Sequence, residues 1–159
     1  MRVRQRHTVG ALLCVPLDDR WHAYAWTLPE VDFAFFDLRA DSEVAIEEIV
    51  AHPIAFRVGV HKSAWTTGRW LRVGKAEPPA DVLAPVPTFI EDPISGKFSI
   101  YLLGKMRPAK REECVGFERC AVWEPEHVED RLRDHFAGVP NKWVENLRLR
   151  RKLGAKRSD

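Results

Sequence analysis

Six histidines and three cysteines are the side chains of this 159-residue chain that could bind a metal ion or act as catalytic groups. His127 and His135 stand eight residues apart, roughly 12 Å along a helix at ~1.5 Å per residue, which is too far for one ion. The spacing of Cys114 and Cys120 is wider than the gap of two to four residues between paired zinc ligands. The sequence therefore predicts no metal site and no bound cofactor.

Motifs for nucleophilic catalysis or phosphate binding are absent, since the chain contains no GxSxG, GxxxxGK[ST] or GxGxxG. Glu112, Glu113 and Glu118 could form a carboxylate pair if they met at a turn. A solvated turn with a helix cap explains these glutamates as well, and we favour it. We expect a non-enzymatic protein; a hydrolase with a dispersed site is a further alternative.

The formal charge of +2 hides a strongly uneven distribution. Residues 2–6 carry three arginines and residues 148–159 carry six basic side chains, whereas residues 7–147 hold 22 acidic and 16 basic ones. Acidic side chains are concentrated in the stretch from residue 30 to residue 48, where Arg39 is the one basic residue. They are Glu30, Asp32, Asp37, Asp41, Glu43, Glu47 and Glu48. An acidic patch of this kind steers association with a basic protein. We predict that these seven residues and Trp21, as an aromatic anchor, bind a protein partner.

The basic tail offers a different reading. Residues 148–159 could bind nucleic acid through phosphate contacts, but the tail lacks interleaved aromatic residues and follows an acidic body. Cations at the end of a helix are also favoured by the helix dipole. Nucleic-acid binding through the tail is therefore the less favoured alternative.

Apolar periodicity in the first half predicts short strands separated by turns. The pattern indicates a hairpin followed by two further strands, at Val9–Leu17, Arg20–Thr27, Val31–Asp37 and Ile54–His61. Asp41 and Ser42 could cap a short helix that ends at Val50, and a strand over residues 43–51 is the alternative.

The second half contains many helix breakers and then two helices. Strands are expected near Trp70–Val73, Pro87–Ile90 and Phe98–Leu103. Pro125 begins a helix that Gly138 ends, with Glu129 and Arg133 at the spacing of a helical ion pair. Pro140 then starts a second helix, whose inward residues would be Trp143, Val144 and Leu147.

These elements predict an α+β fold: a mostly antiparallel sheet, which could be strongly curved or barrel-like, followed by two C-terminal helices. We expect one domain over residues 1–159, with a basic N-terminal arm at 1–8 and the basic tail at 148–159. The arm and Val9–Leu17 imitate a signal peptide, but Pro16 and two aspartates follow at once and no small-x-small cleavage site is present. We therefore expect a cytoplasmic protein that does not contact a membrane.

Several short motifs, in order over residues 9–137, carry a resemblance to a known family. They are Ala11-Leu-Leu-Cys-Val-Pro-Leu-Asp-Asp19, Phe33-Ala-Phe-Phe-Asp37, Phe56-Arg-Val58, Gly68-Arg-Trp70 with Gly74, Arg107-Pro-Ala109, Glu112-Glu113, Gly116-Phe-Glu118, Ala121-Val-Trp123 and His127-Val-Glu-Asp-Arg131. The chain resembles the immunity protein 26 family of bacterial polymorphic toxin systems. Phe117 departs from the pattern, which has Leu there, and the basic tail lies beyond the resembling region.

The resemblance implies a small protein that protects its producer by binding and neutralising one secreted toxin domain. It implies no enzymatic activity, and it assigns no binding residue, so the acidic stretch remains a prediction from charge alone. Toxin domains of such systems are often nucleases with basic clefts, which an acidic surface would suit.

Overall fold

The computed structural model describes residues 4–150, which group into two compact units. Unit 1 contains residues 4–84 and 121–141, and unit 2 contains residues 85–120 and 142–150. The first three residues of the predicted arm and residues 151–159 of the predicted tail lie outside the described residues.

Unit 1 is built on a six-stranded sheet with the strand order β5-β1-β2-β3-β4-β9. Its strands are β1 (Ala11–Pro16), β2 (His22–Thr27), β3 (Asp32–Ala40), β4 (Ile54–Val60), β5 (Leu71–Lys75) and β9 (Val122–Trp123). All neighbours are antiparallel except β4 and β9. Because β5 and β9 form the two edges, the sheet is open, so the antiparallel α+β prediction is confirmed and the barrel-like variant is not adopted.

The β1–β2 hairpin forms as the sequence predicted, and a single carboxylate organises its turn. Asp18 Oδ1 accepts hydrogen bonds from the backbone N–H groups of Arg20 and Trp21 at 2.8 and 2.7 Å. This arrangement closes the chain into the antiparallel pairing that brings Val15 opposite Ala23.

Strand β3 is buried on both faces, which explains its run of aromatic residues. On one face, Phe35 stacks on Phe56 with ring centroids 4.9 Å apart and meets Trp70 edge-on at 5.7 Å. On the other face, Phe36 packs against Trp26 at 5.2 Å within a cluster that also contains Ile49. Sheets of this kind need helices on both sides to exclude water from the two apolar faces.

Four helices of unit 1 supply that cover. They are α1 (Ile46–Ala51), α2 (Ser63–Thr66), α3 (Ala80–Leu83) and α4 (Pro125–Ala137). The α1 residue Ile49 and the α3 residue Val82 belong to the cluster of Phe36. Trp65 of α2 packs on Phe33, and Arg131 of α4 lies 3.8 Å from the ring centroid of Phe56.

Helix α1 resolves the ambiguity over residues 43–51 in favour of a helix. The predicted cap by Asp41 and Ser42 is wrong, because Ala45 is the N-cap residue and no side chain caps the helix. A glycine allows α1 to approach the sheet: a Cβ atom on Gly74 of β5 would lie 2.2 Å from Cδ1 of Ile46.

Helix α4 begins at Pro125 and ends at Gly138, which has φ +70°, as the sequence predicted. The predicted pair of Glu129 with Arg133 is wrong. Glu129 is buried and instead accepts hydrogen bonds from Arg69 and from the indole Nε1–H of Trp70. Arg133 pairs with Asp130 and donates to the carbonyl of Leu17. Because Glu129 is buried, it binds Arg69 and Trp70, which lie outside the helix, instead of Arg133.

The described part of the N-terminal arm, residues 4–8, is bound to the rest of unit 1 through Gln5. Its side-chain amide donates to the carbonyls of Trp65 and Trp70 at 3.1 and 2.7 Å and accepts from the N–H of Arg72 at 2.7 Å. His7 lies 5.6 Å from the ring of Trp65.

Unit 2 is a three-stranded antiparallel meander with helix α5 (Lys142–Leu147). Its strands are β6 (Thr88–Glu91), β7 (Phe98–Leu102) and β8 (Lys105–Ala109), and Phe89, Ile100 and Cys114 form its buried core. The sequence did not predict strand β8. Its first four residues are all exposed and include Pro108, so the strand has no apolar alternation. The short helix α5 confirms the second C-terminal helix.

No helix within residues 4–150 has the length and apolar character needed to cross a bilayer.

We expect Glu129→Gln to lower the free energy of unfolding by about 2–4 kcal/mol, because it removes a buried charge from its donors. The neighbouring Glu126 offers a matched control: it lies 3.5 Å from the same Arg69, but its side chain is 59% exposed. Glu126→Gln should cost less than about 0.5 kcal/mol. Urea unfolding monitored by tryptophan fluorescence checks both values, and equal losses would contradict a special role for Glu129.

We expect Gly74→Ala to destabilise the protein by about 1–3 kcal/mol, since the new methyl group overlaps Ile46. Ile46→Val deletes the Cδ1 atom that the methyl group would meet, so Gly74→Ala should cost much less in the Ile46→Val background. A double-mutant cycle of thermal or urea unfolding measures this coupling. Additive effects would show that the close approach of α1 is not what requires the glycine.

Candidate functional site

The predicted acidic stretch does not form one patch in the structure, because β3 runs through the middle of it. Asp32 begins β3 and Asp41 follows its end, and nine residues at ~3.3 Å each place them roughly 30 Å apart. Glu30 and Asp32 therefore lie at one end of the strand. Asp41, Glu43, Glu47 and Glu48 lie at the other end.

At the start of β3, two carboxylates lie close together. Glu30 occupies the turn before the strand with φ +62°. Asp32 is exposed as a residue, but its carboxyl lies against β4, where a Cβ on Gly59 would be 3.5 Å from Asp32 Oδ1. This local loss of solvent, and then the negative charge of Glu30, raise the pKa of the Asp32 carboxyl.

Past the end of β3, four acidic side chains are exposed and belong to the same short segment, which we call the α1 acidic surface: Asp41, Glu43, Glu47 and Glu48. Glu47 and Glu48 occupy the first turn of α1. Asp41 forms an exposed ion pair with Arg20 at 3.4 Å. Negative side chains are favoured in the first turn of a helix, so this position suits a cluster of carboxylates.

Asp37 has a different environment from the other acidic residues of the stretch. Its Oδ1 lies 2.8 Å from Nε2 of His135 on α4, so it links β3 to that helix. The predicted site residue Asp37 therefore contacts a helix from the sheet. It lies between the two acidic groups and belongs to neither.

Trp21 lies between two guanidinium groups. The Cζ atoms of Arg39 and Arg20 are 4.1 and 4.7 Å from its ring centroid, distances typical of cation–π contacts. Arg20 also pairs with Asp41. The predicted anchor Trp21 is therefore half-buried between the exposed Arg20 and Arg39, and this Arg20–Trp21–Arg39 stack is joined to the α1 acidic surface through Arg20.

Sequence reasoning missed the two arginines of this stack. The antiparallel register of β2 and β3 aligns Ala23 with Arg39, which brings Arg39 back to the residues just before β2. The position of Arg39 beside Trp21 depends on the strand register. A β-bulge between Ala23 and Ala25 shifts that register, and the sequence does not show where the bulge lies.

The acidic excess belongs to unit 1. Its described residues contain 16 acidic and 11 basic side chains, whereas those of unit 2 contain six acidic and nine basic ones. The two units therefore present opposite net charges to a partner, and the candidate acidic residues all lie in unit 1.

Among the residues considered for catalysis, Glu113 forms a structural cap, and two of the three cysteines are wholly or partly buried. Glu113 accepts a hydrogen bond from the N–H of Lys110 at 2.7 Å and one from Arg107 at 3.2 Å, which lower the pKa of its carboxyl and identify it as a cap. Burial raises the pKa of the thiols of Cys14 and Cys114, which is the opposite of the shift that activates a catalytic cysteine. Within residues 4–150, no group of three or more His, Cys, Asp or Glu side chains is arranged to hold a metal ion.

Comparison with known proteins identifies one family. A family model described as immunity protein 26 matches residues 8–100, more than half of the chain. The match covers β1 to β6 and most of β7, whereas the resembling motifs after residue 100 lie outside it. No curated protein and no solved structure matches this chain.

Substitutions of Asp32 and of Asp18, the residue in the β1–β2 turn, should change the stability of the protein with opposite signs. Asp32 has a raised pKa in the folded protein, so its ionisation opposes folding; Asp32→Asn should therefore increase stability at pH 7 and lose this effect near pH 3. Hydrogen bonds from Trp21 and Arg20 lower the pKa of Asp18, so Asp18→Asn should decrease stability at pH 7 but have less effect as the pH falls through the carboxyl range. Urea midpoints at both pH values test this, and effects of the same sign at pH 7 would contradict it.

Proposed function

Because this chain belongs to the immunity protein 26 family, we propose that it binds a cognate toxin domain and neutralises it by physical obstruction. Membership in an immunity family implies a toxin as partner in general. Obstruction requires a complementary surface but no catalytic group. In this proposal the protein acts in the cytoplasm of the producing cell, without enzymatic activity and without a cofactor.

The α1 acidic surface is the observation that supports a specific mode of binding. Four exposed carboxylates lie within eight residues of one another, next to the Arg20–Trp21–Arg39 stack. Like charges kept together on a surface create a field that accelerates encounter with a basic partner. The indole and guanidinium groups of the stack provide the kind of side chain that contributes most to binding at the centre of interfaces.

A toxin with a basic substrate cleft fits this surface best. A nuclease must attract phosphates and therefore carries such a cleft, so an acidic protein can occupy it in place of the substrate. In this proposal Asp41, Glu43, Glu47 and Glu48 face the basic cleft. Glu30 and Asp32, roughly 30 Å away along β3, contribute to the field around unit 1, and Asp37 holds α4 in place.

Nucleic-acid binding through the basic tail is the alternative function. Residues 151–159 lie outside the described residues, and Arg148 forms an ion pair with Glu145 at 3.0 Å. The acidic excess of unit 1 favours a basic protein over nucleic acid as the partner.

We expect Glu47→Lys with Glu48→Lys to reduce the association rate with the cognate toxin at least tenfold at low salt and to weaken its salt dependence, since steering depends on these charges. The probe is the cognate toxin domain, to be sought as the C-terminal domain of a large secreted protein in the neighbouring reading frame. Stopped-flow or biosensor kinetics at several salt concentrations measure the effect, and co-expression with the toxin in bacteria measures protection.

A matched control separates a local effect from net charge. Glu77→Lys with Glu112→Lys changes the charge by the same amount at exposed positions outside the acidic stretch. The control should bind and protect nearly as the wild type does. If the two double variants associate equally slowly, the α1 acidic surface is not the contact; if the wild type fails to bind the neighbouring toxin, the proposed function itself is wrong.

A further inference from the structure

The outer edge of β5 is already hydrogen-bonded as if another strand lay beside it. Gln5 donates to the carbonyl of Trp70 and accepts from the N–H of Arg72, with both distances 2.7 Å. These are the two backbone groups that one residue of a parallel strand would bind on either side of Leu71. The side-chain amide of Gln5 thus imitates a single residue of a neighbouring strand.

The remaining features of β5 are those of a strand that can accept a partner. Within the described residues its strand neighbour is β1 alone, so one edge faces outward. Leu71 and Val73 are 47% and 46% exposed, an unusual degree for apolar residues of a strand. A strand laid along this edge would cover both side chains in addition to its backbone hydrogen bonds.

The edge strand β8 of unit 2 lacks these features. Strand β8 contains Pro108, which has no N–H to donate. Proline is one of the means by which edge strands avoid pairing. Strand β5 contains no proline, and Gln5 satisfies its outward groups instead.

Charge selects the kind of strand that fits. Arg72 and Lys75 are exposed on β5, and the exposed Arg4 and Arg6 flank Gln5 in the arm. A second copy of this chain would place β5 beside β5, and therefore base against base. A segment carrying carboxylates among apolar residues would place opposite charges there.

We propose that the outer edge of β5 binds an extended segment of the toxin, with acidic side chains, by strand addition, and that Gln5 holds the place of this segment in the free protein. The inference rests on the proposed function and adds a second contact to it. The α1 acidic surface provides attraction to the basic cleft, and β5 provides directional backbone hydrogen bonds to a separate, acidic segment.

The test compares two substitutions at one residue. Arg72→Pro removes the outward N–H, which does not bond β1, while Arg72→Ala removes the side chain and keeps the N–H. Arg72→Pro should bind the cognate toxin domain roughly tenfold more weakly than Arg72→Ala does. Gln5→Ala should bind at least as tightly as the wild type, because the competing amide is gone.

Hydrogen exchange of the wild-type complex gives a readout that does not depend on the folding of any variant. Saturating toxin should slow exchange of the Arg72 amide at least tenfold. Binding of Arg72→Pro within twofold of Arg72→Ala, an unchanged Arg72 amide in the complex, or a β5-dependent dimer of Gln5→Ala would each overturn the inference. Absence of toxin binding by the wild type would instead overturn the proposed function on which it rests.

Discussion

The buried carboxylate of Glu129 is the interaction on which the arrangement of unit 1 depends. It accepts hydrogen bonds from Nε and Nη2 of Arg69, both at 2.7 Å, and from the indole N–H of Trp70 at 2.8 Å. A buried charge is stabilising only when its donors are all in place, so this residue fixes α4 against the segment between α2 and β5. Gln5 binds the carbonyl of Trp70 in the same segment and that of Trp65 in α2, so the arm, β5 and α4 meet around Trp70. This explains why a tryptophan can be fully buried there although its ring carries a polar group.

From this fixed frame, β3 determines where charge can be displayed. Its central residues are buried on both faces, so acidic side chains can reach solvent mainly at its ends. The result is two acidic groups instead of one continuous patch, with Asp37 used to bind α4. For an immunity protein the two proposed contacts have a consequence. Attraction by the α1 acidic surface and strand addition at β5 would act at different places of unit 1, and two spaced contacts discriminate between toxins better than one.

Much of the architecture could be predicted from sequence because local patterns carry it. The hairpin around Asp18, the alternation in Phe33–Phe35 and the Pro125 and Gly138 signals of α4 depend on residues close together in the chain. Prediction failed for Glu129 because Arg69 and Trp70, which are distant in the sequence, bind it in place of Arg133. It failed for β8 because this edge strand is exposed and has no apolar pattern. The N-cap of α1 also differs from the prediction, since it is Ala45 and not Asp41 or Ser42.

The sequence by itself determined the α+β class, the acidic character of the stretch from Glu30 to Glu48 and the likeness to an immunity family, since composition, short-range periodicity and ordered motifs are properties of the chain. The tertiary structure decided which of those acidic residues stand together, why Trp21 is covered by Arg20 and Arg39, and how Gln5 reaches β5. The reason is physical. Strand register and helix packing bring together residues that are tens of positions apart, and no local pattern records which buried or hydrogen-bonded partner has the lowest free energy.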